Sequence, residues 1–167
     1  MAMRIERRRP LQTWPGFGLL LALVAATGGL GAQVTLPSLG WYAGLAKPGF
    51  TPPDRLFGPI WTILYALMAI AAWRVLRTDT GRSGVPRALA MFFVQLALNA
   101  LWSPIFFGTR RPDVALVVIL MLLGALGVTL VQFFRLDRLA GWMLLPYLLW
   151  AAYAAVLNGA IVLLNGG

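Results

Sequence analysis

The chain contains no cysteine and no histidine, and its five acids, Glu6, Asp54, Asp79, Asp113 and Asp137, fall in the amino-terminal tail or between long apolar runs. Thiolate nucleophiles, imidazole bases and the commonest metal ligands are therefore excluded. So are a Ser-His relay, a zinc hydrolase centre and histidine-ligated haem, and no metal site is expected. What remains is a set of indoles, phenols and carboxamides at helical spacing. Gln95, Asn99 and Trp102 follow at i, i+4 and i+7, with Phe106 continuing the stripe; Trp61, Tyr65 and Met68 form a second stripe, and Tyr147, Trp150, Ala154 and Leu157 a third. Such groups stack on flat apolar molecules and offer them a few neutral hydrogen bonds. They serve equally well to pack helices, with Gln95 and Asn99 bonding between neighbours. Spacing alone leaves both uses open.

The elements that carry these stripes are membrane spans. Of 167 residues, 60% are hydrophobic and 11% charged, against roughly 25% charged in soluble domains, more apolar surface than one soluble core of this size hides. Runs at about 14–36, 57–76, 88–107, 114–134 and 141–164 are each long enough to cross a bilayer, which takes about 20 apolar residues. The second run is extended past Arg74, whose guanidinium reaches the headgroups. The fold class expected is all-α: one domain over residues 1–167, a polytopic bundle of five transmembrane helices. The tail before the first run is basic like a signal peptide, but the run is long and lacks an A-x-A site before Gln33, so a retained helix is expected.

Charge sets the orientation. The net charge of +9 is carried by short basic clusters between spans, which argues for topology signals and against a nucleic acid partner. One side holds Arg4, Arg7, Arg8, Arg9, Arg74, Arg77, Arg82, Arg87, Arg135 and Arg138, and the other Lys47, Arg55, Arg110 and Arg111. In an inner membrane the amino terminus is then cytoplasmic. A carboxylate at bilayer depth is lacking, which disfavours proton- or sodium-coupled transport.

The connection at 37–56 is long, stiff and aromatic, with Pro37, Pro48, Pro52 and Pro53 beside Trp41, Tyr42 and Phe50. It is either a lid or a segment resting in the headgroup belt. Small-x-x-x-small pairs in the first run, Ala25 with Gly29 and Gly28 with Ala32, permit close helix approach, within the chain or between copies. A permissive sterol pattern runs from Leu39 through Tyr42 to Lys47 and carries little weight.

Three blocks give the order of residues a resemblance. They are Trp41-Tyr42-Ala43-Gly44-Leu45-Ala46-Lys47-Pro48-Gly49-Phe50-Thr51-Pro52-Pro53, continuing through Phe57-Gly58-Pro59-Ile60-Trp61 to Tyr65; Gln95 to Gly108; and Pro146 to Asn158. In this order and on these spans the chain resembles the translocator protein / tryptophan-rich sensory protein family (TspO/MBR). The resemblance implies a five-helix bundle, commonly a homodimer, whose pocket is closed by the loop after the first helix. It implies a porphyrin or other tetrapyrrole as ligand, with lipid or sterol as further partners and no required cofactor. Trp41, Phe50, Trp61, Tyr65, Gln95, Asn99, Trp102, Tyr147, Trp150, Ala154 and Leu157 are then ligand-binding candidates, and Lys47 or Arg55 a partner for porphyrin carboxylates. The function implied is binding and sensing of porphyrins; the alternative is their translocation, or that of sterol, across the membrane. Light- or oxygen-dependent porphyrin breakdown at Trp61 and Trp150 is an implied secondary activity. Residues 160–167 lack the tyrosine and basic residue that mitochondrial members carry there for cholesterol, and the first-loop histidine of some members is absent.

Overall fold

The computed structural model describes residues 14–78 and 84–166. The basic tail with Arg4, Arg7, Arg8 and Arg9, and Asp79 and Arg82, lie outside the described residues.

The described chain is helical between short connections: α1 (Trp14–Thr35), α2 (Leu39–Ala43), α3 (Phe57–Arg77), α4 (Val85–Ser103), α5 (Pro112–Leu136) and α6 (Arg138–Asn165). Five segments are long and apolar enough to cross a membrane: Trp14–Ala43, Asp54–Arg77, Val85–Gly108, Pro112–Leu136 and Arg138–Asn165. In hydrocarbon every backbone polar group must be satisfied within the segment, and a helix does this unaided. The helices close a ring in the order α1, α3, α6, α5, α4, with α3 also touching α4 across it.

Local chemistry moves the expected boundaries outward. Pro86 and Pro112 occupy the first turns of α4 and α5, where their missing N–H costs nothing, so both helices start earlier than the apolar runs. Asp137 caps α6: its Oδ1 accepts from the N–H groups of Leu139 and Ala140, at 2.9 and 3.1 Å. Its Oδ2 pairs with Arg74 at 2.8 Å, tying the end of α3 to the α5–α6 corner. One carboxylate thus fixes three helix ends.

The segment expected as a loop at 37–56 is partly helical. Pro37 sits in the first turn of a 3-10 helix, Leu36–Ser38, and α2 follows directly, so the first span runs on to Ala43. Against this segment, α4 closes in a π-helical turn, Pro104–Gly108, in which Thr109 N–H bonds to the Pro104 carbonyl at 2.9 Å. The wider turn leaves Phe106 and Phe107 adjacent and both buried. Arg110 then takes a left-handed φ of 55° to turn the chain into α5.

Candidate functional site

At the centre of the ring, α3, α4 and α6 meet through three polar side chains. Tyr65 on α3 donates its hydroxyl to Asn99 Oδ1 on α4 at 3.0 Å, and Asn99 Nδ2 donates to the Tyr147 hydroxyl on α6 at 3.1 Å. Tyr147 is fully buried and Asn99 nearly so. The carboxamide acts as a bracket, since its acceptor and its donor are separate atoms and can hold one phenol each. Trp61, one turn from Tyr65, stacks on its ring at 5.2 Å and 28° and meets Tyr147 edge-on at 6.1 Å. The result is a hydrogen-bonded polar floor under an indole wall.

Gly28 makes this arrangement possible. A Cβ there would come within 2.5 Å of the Tyr65 ring, so the bare backbone of α1 admits the phenol. Gly29 faces open space. The two small-residue pairs of the first run therefore differ: Gly28 serves packing inside the chain, and Gly29 does not.

The three sequence stripes do not converge on a single point. Trp61, Tyr65, Asn99 and Tyr147 come together as described. Trp150 belongs to a second cluster nearer the loop, where it lies 5.8 Å from Phe57 and 5.7 Å from Tyr153, and Tyr153 meets Phe50 at 6.3 Å. Trp102 lies in a third: it stacks on Phe106 at 5.0 Å, which Trp41 and Tyr42 of α2 approach edge-on, and Leu157 packs in the same cluster. Ala154 lines the central cluster from α6. Met68 is plain core, without solvent exposure. Gln95 is fully buried, and neither atom of its amide has a partner among the described residues.

Asn158 completes the third cluster. Its Oδ1 accepts from Trp102 Nε1 at 3.1 Å while its Nδ2 donates to the Pro112 carbonyl at 2.8 Å, which pairs a half-buried indole N–H and the first residue of α5 together. Asn158 follows Ala154 by four residues, so a carboxamide on the third stripe was the available signal.

The loop is held down at both ends. Trp41 and Tyr42 rest on the π turn of α4, while Tyr153 on α6 donates its hydroxyl to the Phe50 carbonyl. Asn165, at the end of α6, grips Ala46 twice, accepting from its N–H at 3.0 Å and donating to its carbonyl at 2.9 Å. Lys47 is engaged within the loop: its ammonium donates to the carbonyls of Tyr42, Ala43 and Leu45 and lies 4.7 Å over the Tyr42 ring. Its three donors close the end of α2. Arg55 forms no hydrogen bond or ion pair among the described residues, so it is the cation of this loop left to meet an anion.

These bonds predict a measurable latch. Removing three hydrogen bonds, each worth about 0.5–1.5 kcal/mol net, with Asn165→Ala and Tyr153→Phe should speed hydrogen exchange of the loop amides by about tenfold or more. Amides in the middle of α5 should not change. Equal loop exchange in the variant and the parent would show that packing alone holds the segment.

Comparison with known proteins agrees along the chain. The family model described as the TspO/MBR family matches residues 18–164. The chain is 45% identical over 143 residues to the tryptophan-rich protein TspO of Archaeoglobus fulgidus, covering 85% of this chain and 92% of that one. It is 40% identical over 152 residues to the tryptophan-rich sensory protein of Cereibacter sphaeroides, covering 91% and 92%. With the translocator protein of Homo sapiens it shares 42% identity over 123 residues, 72% of each chain. With five membrane-spanning helices in a ring and this match over nearly its whole length, the chain is an integral multi-pass membrane protein and belongs to the TspO/MBR family.

Proposed function

We propose that the chain is a membrane-embedded binding and sensory protein for porphyrins and similar flat tetrapyrroles. The observation that carries this reading is the Trp61 indole set over the hydrogen-bonded Tyr65–Asn99–Tyr147 floor, a large π face beside neutral polar groups inside an apolar bundle. Trp150 stands on the neighbouring helix, and its ring makes no contact with that of Trp61 among the described residues. A macrocycle taken up between these two indoles stacks on both, and its carboxylates reach outward to Arg55 at the loop. The loop at 37–56, bolted to α6, then acts as the lid. No general acid or base is required for binding. Light- and oxygen-dependent breakdown of the porphyrin at Trp61 or Trp150 is a secondary reading, in which the excited porphyrin takes an electron from an indole beside it and dioxygen is the oxidant consumed.

The test is a titration of purified protein with protoporphyrin, read by quenching of tryptophan fluorescence. Saturation at one porphyrin per chain is expected, and failure of any tetrapyrrole to quench would sink the reading. The relatives named translocator protein favour a second reading, passage of porphyrin or sterol through the membrane. Sealed vesicles separate the two, since a binder stops at stoichiometric uptake and a translocator continues. As for assembly, a homodimer is consistent with the outward face of α1, where Gly18 and Gly29 meet nothing within 4 Å.

A further inference from the structure

Three neighbouring helices, α4, α5 and α6, turn rows of exposed apolar residues outward, among them Val94 and Leu101, Val128 and Val131, and Leu149 and Val156. At the same end of the bundle each row finishes on an exposed arginine: Arg87 on α4, Arg135 on α5 and Arg138 on α6. Spacing confirms that each arginine belongs to its row, since 87, 94 and 101 are sevens apart, 128, 131 and 135 lie at i, i+3 and i+7, and 138 leads to the exposed Trp142 one turn on. The three ends are adjacent. A Cβ placed on Gly84, just before α4, would lie 3.6 Å from Leu136 Cδ2, and Asp137 alone separates α5 from α6.

That aspartate does not neutralise them. Its carboxylate is used by the cap of α6 and by Arg74, and Arg87, Arg135 and Arg138 make no hydrogen bond or ion pair among the described residues. The basic side holds ten arginines against Glu6, Asp79 and Asp137, so an excess of cation persists whatever those acids pair with. Every basic residue counted on that side is arginine, the single lysine of the chain being Lys47 on the other. Membrane orientation needs only positive charge, whereas arginine adds a planar fork matched to phosphate oxygens.

We propose that this corner binds the headgroup of an anionic glycerophospholipid, its phosphate held by the forks of Arg87, Arg135 and Arg138 and its acyl chains laid along the apolar rows of α5 and α6. Trp142, 60% exposed beside Arg138, sits where an indole favours the headgroup boundary. The site is separate from the porphyrin reading and stands or falls without it.

The experiment uses the full chain purified from membranes mixed from phosphatidylcholine and phosphatidylglycerol, with retained lipid counted by native mass spectrometry. The parent should keep phosphatidylglycerol in preference to phosphatidylcholine. Arg87→Gln, Arg135→Gln and Arg138→Gln together should cut that preference about tenfold, while Arg110→Gln with Arg111→Gln at the opposite end should leave it intact. A milder pair, Arg135→Lys with Arg138→Lys, keeps charge and guards against misfolding; it should retain less phosphatidylglycerol than the parent because the fork is gone. Undiminished preference in the glutamine variant, or equal loss from either end, would overturn the proposal and leave these arginines as orientation signals alone.

Discussion

Trp61→Leu is expected to weaken porphyrin binding about 5- to 150-fold, and Trp61→Phe by much less. Stacking of a flat heterocycle on an aromatic side chain is worth about 1–3 kcal/mol, and each 1.4 kcal/mol is a factor of ten. Trp61 stacks on Tyr65 and touches Tyr147, so its indole also fixes the direction in which the polar floor faces. Phenylalanine keeps a π face and an apolar volume at that place; leucine keeps only volume. Trp150→Leu should behave alike if the ligand lies between the two indoles. Trp73 provides the control, since its ring packs with Trp14 and Phe17 at the arginine-rich end, and Trp73→Leu should leave affinity unchanged. Because each variant removes a fluorophore, affinity is read from the porphyrin's own absorption band. Equal affinities for Trp61→Leu and Trp73→Leu would return Trp61 to a packing role.

The five spans were legible because charge interrupts the chain wherever a helix must leave the hydrocarbon. Their ends were less so, since Pro86, Pro112 and Asp137 extend α4, α5 and α6 by capping chemistry that an apolar count ignores. The stripes were legible too: Trp61 with Tyr65, and Gln95 with Asn99, share faces as four-residue spacing requires. How the stripes divide into three clusters was not. That division depends on which helices are neighbours in the ring, and chain order does not state that α3 lies beside α6 or α1 beside α4. The latch was hidden for a related reason. Asn165 and Ala46 are 119 residues apart and Tyr153 and Phe50 are 103 apart, and nothing in either segment marks the other. Gly28 was visible as a small residue, yet its use became plain only against the Tyr65 ring. Lys47 is a further case: the partners its charge finds within the chain are the carbonyls of a helix end two to five residues away.

Asn99→Leu should destabilise the protein by about 1–3 kcal/mol, more than the 0.6 kcal/mol average for a hydrogen bond inside a membrane. That average reflects groups that find other partners once one is lost. Tyr147 has no such freedom: its hydroxyl is fully buried, and the Asn99 amide is the partner found for it among the described residues. Tyr65, being partly exposed, has more room to turn and should contribute the smaller share. The diagnostic variant carries Asn99→Leu, Tyr65→Phe and Tyr147→Phe together. Replacing all members of a buried polar network by apolar groups of similar shape removes the unmet donors along with the bonds, so the triple variant should recover most of the stability lost by Asn99→Leu. Thermal unfolding in one detergent, with the single tyrosine variants beside it, measures the coupling directly. No recovery would mean that packing of the carboxamide, and not its hydrogen bonds, carries the effect. Porphyrin affinity of the same triple variant then decides what the network is for. A large loss of affinity in a stable protein would assign the polar floor to the ligand, and unchanged affinity would make Asn99 a bracket for three helices and leave ligand recognition to the indoles.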